Sequence, residues 1–97
     1  MNVNRILSYI NFARKAGDVL YGIDNIKSSK KYIYCILIDD SATENLQTTV
    51  QNFCERFKIP CIKLSAKLDD VLKTKNCKVL GILNQNLAQQ IILSDKE

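Results

Sequence analysis

The run YIYCILI, residues 32–38, is the longest uninterrupted apolar stretch in the chain, and it limits the fold more than any other feature. Its seven residues fall far short of the roughly 20 that a membrane helix needs. Their β-branched and aromatic side chains suit a central strand covered on both faces, as in parallel α/β sheets. Helical patterns flank it. Residues 2–16 set Ile6, Leu7, Ile10 and Ala13 on one face, with Gly17 as a left-handed stop. After the run, Ser41 and Glu44 match a capping box, in which Ser41 caps the helix and Glu44 reaches back. The helix that follows carries Leu46, Val50, Phe53, Cys54 and Phe57 on a stripe and ends at Lys58 and Pro60.

Shorter signals complete the order. Residues 19–21 form a strand candidate, and Gly22 opens a short helix over residues 23–29. Residues 61–64 read as a strand. Ser65 caps a brief helix with Leu68, Val71 and Leu72 facing in. Residues 78–83 (KVLGIL) are a second buried strand, and Asn84 caps a last helix whose tail, residues 94–97, is expected to fray. The resulting α-β-α-β-α-β-α-β-α order predicts one α/β domain with a mostly parallel sheet between two helical layers. At 97 residues, 46% hydrophobic and 25% charged, the chain has ordinary globular composition. No segment at its start combines a basic region, an apolar stretch and a small-residue cleavage site. The expected setting is soluble and cytoplasmic.

The absence of histidine excludes the most function. Ser–His and Cys–His nucleophilic pairs are ruled out, and so are zinc sites that use histidine. Cys35, Cys54, Cys61 and Cys77 contain no Cys-x-x-Cys pair, so they read as reduced cysteines packed in the core. Gly17, Gly22 and Gly81 are too dispersed for a phosphate-binding loop. Asp39-Asp40 and Asp69-Asp70 read as strand-end and helix-start acids rather than catalytic pairs. The chain is expected to be no enzyme and to use no cofactor or metal.

Charge points to a partner instead. The net charge is +4, and all of the excess lies in the first third. Arg5, Arg14, Lys15, Lys27, Lys30 and Lys31 face only Asp18 and Asp24 there, whereas acids and bases balance from Tyr32 onward. A basic region on a small domain suggests an anionic partner, nucleic acid first. Lysines near a helix C-terminus are also favoured by the helix dipole, which explains part of the bias without any ligand. Residues 22–31 (GIDNIKSSKK) concentrate the signal. Gly22 permits a tight turn, and the N–H groups of the first helical turn form an anion site. Asp24 and Asn25 can read base edges, and the lysines can hold phosphates. The same residues also make an ordinary cap.

Four segments in this order resemble the ribosomal L-seven-Ae family of kink-turn RNA binders, and its small bacterial YlxQ-like branch most closely. Residues 7–17 (LSYINFARKAG) resemble that branch's Leu-Gly-Leu-Ala-x-Arg-Ala-Gly helix end. Gly22 stands where a glycine opens the RNA-reading helix. Residues 37–45 (LIDDSATEN) resemble an Asp-Ala-Ser-x-Asn corner, and residues 53–61 (FCERFKIPC) resemble the helix end before a Val-Pro strand. Residues 79–91 fit the last strand and helix in pattern.

The resemblance implies a three-layer α/β/α sandwich around a four-stranded mixed sheet. It implies non-catalytic, ribosome-associated binding of structured, kink-turn-like RNA, with ribosomal RNA and ribonucleoprotein partners. Carried over, it assigns base contacts to Asp24 and Asn25, close backbone approach to Gly22, and phosphate contacts to Lys27, Lys30 and Lys31, with Lys15 and Lys75. The family's Gly-x-Asn-Glu-x-x-Lys motif is altered here. Asp24 and Asn25 exchange acid and amide, and Ser28 stands at the lysine position. Residues 68–76 carry neither glycine of the family's loop. These departures leave a second reading, a protein-interaction module on the same fold.

Overall fold

The Asn2 side chain accepts a hydrogen bond from the Arg5 N–H and so caps helix α1 (Val3–Lys15), as a short polar side chain at this position does. Gly17, at φ +75°, ends it. This computed structural model describes residues 1–66, 68 and 77–97. Strand β1 (Val19–Tyr21) leads through Gly22 into helix α2 (Ile23–Lys27). Strand β2 (Cys35–Asp39) precedes helix α3 (Glu44–Phe57), then come strands β3 (Cys61–Leu64) and β4 (Val79–Ile82), and helix α4 (Gln85–Asp95).

The four strands lie in the order β1-β4-β2-β3. β2 and β3 are parallel, while β4 runs antiparallel to both of its neighbours. Alternation of elements predicts a mostly parallel sheet, and this expectation is corrected. The burial pattern of β4 reports cover on both faces, which a central strand has whichever way it runs.

Side chains along β2 sort alternately to the two faces, as strand geometry requires. Cys35 and Leu37 join Leu80 and Ile82 under α1 and α4, around Ile6, Ile10, Ala88 and Ile91. Ile36 and Ile38 join Val79 under α2 and α3, with Ile26, Val50 and Cys54. The result is the three-layer α/β/α sandwich. Among the described residues, no helix is long and apolar enough to cross a membrane.

Several local expectations change. Tyr32 to Tyr34 stand outside β2, and Tyr32 is 67% exposed. Thr43, not Ser41, caps α3 by accepting from the Leu46 N–H. The tail does not fray: α4 continues to Asp95, and Ser94 is buried. The Ser94 carbonyl accepts from the Asn2 N–H, and Arg5 pairs with Glu97 at 2.6 Å. The helix expected after Ser65, apart from buried Leu68, lies outside the described residues.

Ser41 has a different task from capping. Asp39 is fully buried at the end of β2. One of its carboxylate oxygens accepts from the Ser41 N–H and hydroxyl, each at 2.7 Å, and the other from the Leu68 N–H at 2.7 Å. Lys78 donates to the same Ser41 hydroxyl. Burial pushes the Asp39 carboxyl up, but the bonds from Ser41 and Leu68, helped by Lys78, outweigh it and hold the group below its ordinary value. Asp39 therefore joins β2 to the chain after β3 and does not serve as a helix-start acid. A lowered carboxyl contributes stability that is present above the ordinary carboxylate range and lost as pH falls through the lowered value. Asp39→Asn should cost about 1–3 kcal/mol near neutral pH. It should also lose less stability on acidification than the parent, which urea unfolding across a pH series would measure.

Candidate nucleic-acid interface

Gly22 sets the geometry of the basic segment. Its φ of +84° and ψ of 156° lie in a region that essentially only glycine occupies. Its N–H donates to the Val79 carbonyl at 2.9 Å, so α2 departs from the end of edge strand β1 with its opening glycine still bonded to β4. Ile26 is the buried residue of α2. It seats over Gly81, where a Cβ would lie 3.2 Å from its Cγ1. With Ile26 turned in, Asp24, Asn25 and Lys27 are turned out.

The two ends of α2 serve different chemistry. At the first turn, Asn25 donates one amide hydrogen to the Tyr21 carbonyl at 2.7 Å, and no side chain caps the helix. Among the described residues, the Asp24 carboxylate has no hydrogen-bond or ion-pair partner. Five residues sum few peptide dipoles, so the anion site expected at this turn lacks a helix to drive it. Positive charge comes from the other end. The Ser29 hydroxyl donates to the Lys31 carbonyl and accepts from the Lys31 N–H, closing the loop after α2. Lys27, Lys30 and Lys31 are exposed and, among the described residues, have no ion-pair partner.

Lys27 and Lys31 share a cavity of about 210 Å³ with Tyr32, Ile33, Phe53 and Phe57. Of its aromatic residues, Phe53 and Phe57 pair with each other, and Tyr32 pairs with Tyr34 outside the cavity, each pair at 4.7 Å between ring centroids. Arg56 lies over the Phe57 ring at 5.4 Å, within reach of a cation–π attraction. Arg56 and Lys27 also line a second cavity of about 280 Å³ with Thr49, Asn52 and Phe53.

The sequence-assigned residues therefore divide. Gly22, Asp24 and Asn25 stand at one end of α2; Lys27 and Lys31 face the aromatic cavity at the other, with Lys30 beside them. Lys15 ends α1, in the layer across the sheet, and joins neither group. Lys75 lies outside the described residues. Tyr32, Phe53, Arg56 and Phe57 are the residues that sequence reasoning missed. Interleaved bases and aromatics in KKYIY carried a signal for Tyr32, and Phe57 sits at the edge of a helix stripe that reads as core.

Cys35, Cys54 and Cys77 are buried as expected, and Cys61 is exposed, against expectation. Alternation along β3 turns Cys61 and Lys63 out when Ile62 and Leu64 turn in. Hydrogen bonding to Cys61 and burial push the Cys54 thiol up, and the same bond draws Cys61 down. Burial, with Cys61 nearby, pushes Cys35 up to about 12.

No family model and no curated protein matches the sequence. Among solved structures, a protein with unknown function from Bacillus halodurans C matches with a TM-score of 0.83. The alignment covers 96% of this chain and 98% of that one at 14% identity, so the likeness concerns the fold alone.

Two outcomes are expected. Gly22→Ala should destabilise by about 1–3 kcal/mol through backbone strain, because nothing lies within 4 Å of the added Cβ; chemical denaturation measures this. A thiol reagent under native conditions should label Cys61 first and the buried Cys35 and Cys54 well after it, read by mass spectrometry of the digested protein.

Proposed function

We propose that the chain is a non-catalytic RNA-binding protein that holds structured RNA on residues 22–31. The observation that carries this reading is the group of three exposed lysines, Lys27, Lys30 and Lys31, on a segment tethered to the sheet through Gly22 and Ile26. Lysines without protein partners keep their charge for phosphates, and counterions released from the RNA supply the affinity. A tethered segment presents that charge in a defined place and loses little entropy on binding.

In this reading Asp24 accepts from base amino or imino groups. Asn25 contributes its Oδ1 and its remaining amide hydrogen, and Gly22 leaves room for close approach of the backbone. The resemblance to the L-seven-Ae family points to kink-turn-like RNA and a ribosomal setting in the cytoplasm. The fold shared with the Bacillus halodurans C protein is compatible with this and adds nothing about the ligand.

The test is binding to a kink-turn RNA and to a plain duplex of equal length, each across a salt series. Each phosphate contact should contribute about −0.7 to −0.9 to the slope of log K against log salt. Replacing Lys27, Lys30 and Lys31 with Gln should flatten that slope by roughly two to three units if each lysine holds one phosphate. An unchanged slope and affinity would overturn the assignment. Preference for the kink-turn that Asp24→Ala removes would identify Asp24 as a base-reading residue.

A further inference from the structure

We propose that the aromatic cavity between α2 and α3 holds one unpaired nucleotide of the bound RNA. The base would enter beside Tyr32, Phe53 and Phe57, and its flanking phosphates would lie on Lys27, Lys31 and Arg56. The inference rests on the RNA-binding reading above and adds to it a second contact, at the opposite end of α2 from Asp24 and Asn25.

Charge and shape choose the occupant together. Among the described residues, those that line the two adjoining cavities include three cations, Lys27, Lys31 and Arg56, and no acid. The cavities share Lys27 and Phe53, so they form one track from the aromatic walls to Arg56. Tyr32 and Phe57 are 67% and 52% exposed and stand on one cavity, where no described part of the chain covers them. Aromatic faces stack on any base, and a positive groove follows the backbone, which is the combination found where proteins hold single strands.

The volume narrows the choice further. About 210 Å³ is below the roughly 300–1,000 Å³ that encloses a drug-sized ligand. It suits a single ring system whose sugar and phosphates remain outside, where Thr49, Asn52 and Arg56 line the second cavity. A second copy of this chain is disfavoured. A two-fold interface would set Lys27, Lys31 and Arg56 against their own equivalents, and like charges repel.

The experiment compares three RNAs that share one stem: fully paired, with a single bulged nucleotide, and with an abasic site at the bulge. The paired stem reports the lysine contact by itself. The bulged RNA should bind about 5- to 150-fold more tightly than the abasic one, the range expected for one base stacked on aromatic rings. Tyr32→Ala and Phe57→Ala should bring the bulged RNA down to the affinity of the abasic RNA, and Phe57→Trp should restore the difference. Both side chains are more than half exposed, and thermal unfolding confirms that the variants fold.

Equal affinity for bulged and abasic RNA, with salt-steep binding to the paired stem, would overturn this inference and leave the RNA-binding reading standing. No binding to any of the three would overturn this inference, and no binding to the kink-turn RNA as well would overturn the RNA-binding reading with it. Self-association that Tyr32→Ala abolishes, with no dependence on the bulged base, would assign the cavity to a protein contact and overturn the inference.

Discussion

Strand β4 bonds to β1 on one side and to β2 on the other, and it joins the two halves of the sheet. The basic segment depends on it twice. The Val79 carbonyl takes the Gly22 N–H, and the bare backbone at Gly81 gives Ile26 and Ile33 room to settle. A side chain at Gly81 would meet both isoleucines, one from α2 and one from the segment leading into β2. The place of the lysines thus depends on a glycine fifty or more residues away in sequence. Buried apolar contact supplies the energy, at roughly 25 cal/mol per Å² removed from water. The glycine decides where that contact can form.

Asp39 braces the opposite edge of β4's contact with β2. Its N–H donates to the Lys78 carbonyl, and its carboxylate collects three donors, two from Ser41 in the bend after β2 and one from Leu68 after β3. A buried carboxylate is tolerated only where its oxygens are satisfied in this way. The acidic pair that ends β2 is thereby divided. Asp39 works inside the protein, and Asp40 is exposed. Such a buried acid resembles a catalytic one in sequence, and its hydrogen bonds give it a structural role.

The helices and strand cores were legible because they are local. Three-to-four spacing on α1 and α3, the cap residue Asn84 and the apolar run in β2 each act within a few residues. What misled is also physical. Tyr32 and Ile33 are β-formers, yet the β2 ladder begins only at Cys35, where β4 supplies partners. Ser41 matches a cap by type, but the Asp39 carboxylate competes for it and Thr43 takes the helix end. Cys61 looked like core because strands with apolar residues often are, while β3 lies at the sheet edge and turns every second residue out.

The sequence by itself determined the order of the described elements, the two helical layers, the lack of histidine chemistry and the basic character of residues 22–31. Those properties follow from side-chain type and from periods of two and 3.6 residues, which any stretch of chain carries within itself. Tertiary structure alone decided that β4 runs against its neighbours. It also placed Lys27 and Lys31 beside Phe53 and Phe57 of α3. Periodicity records that a residue is buried. It does not record against what, because strand partners and cavity walls are selected by packing between segments far apart in the chain.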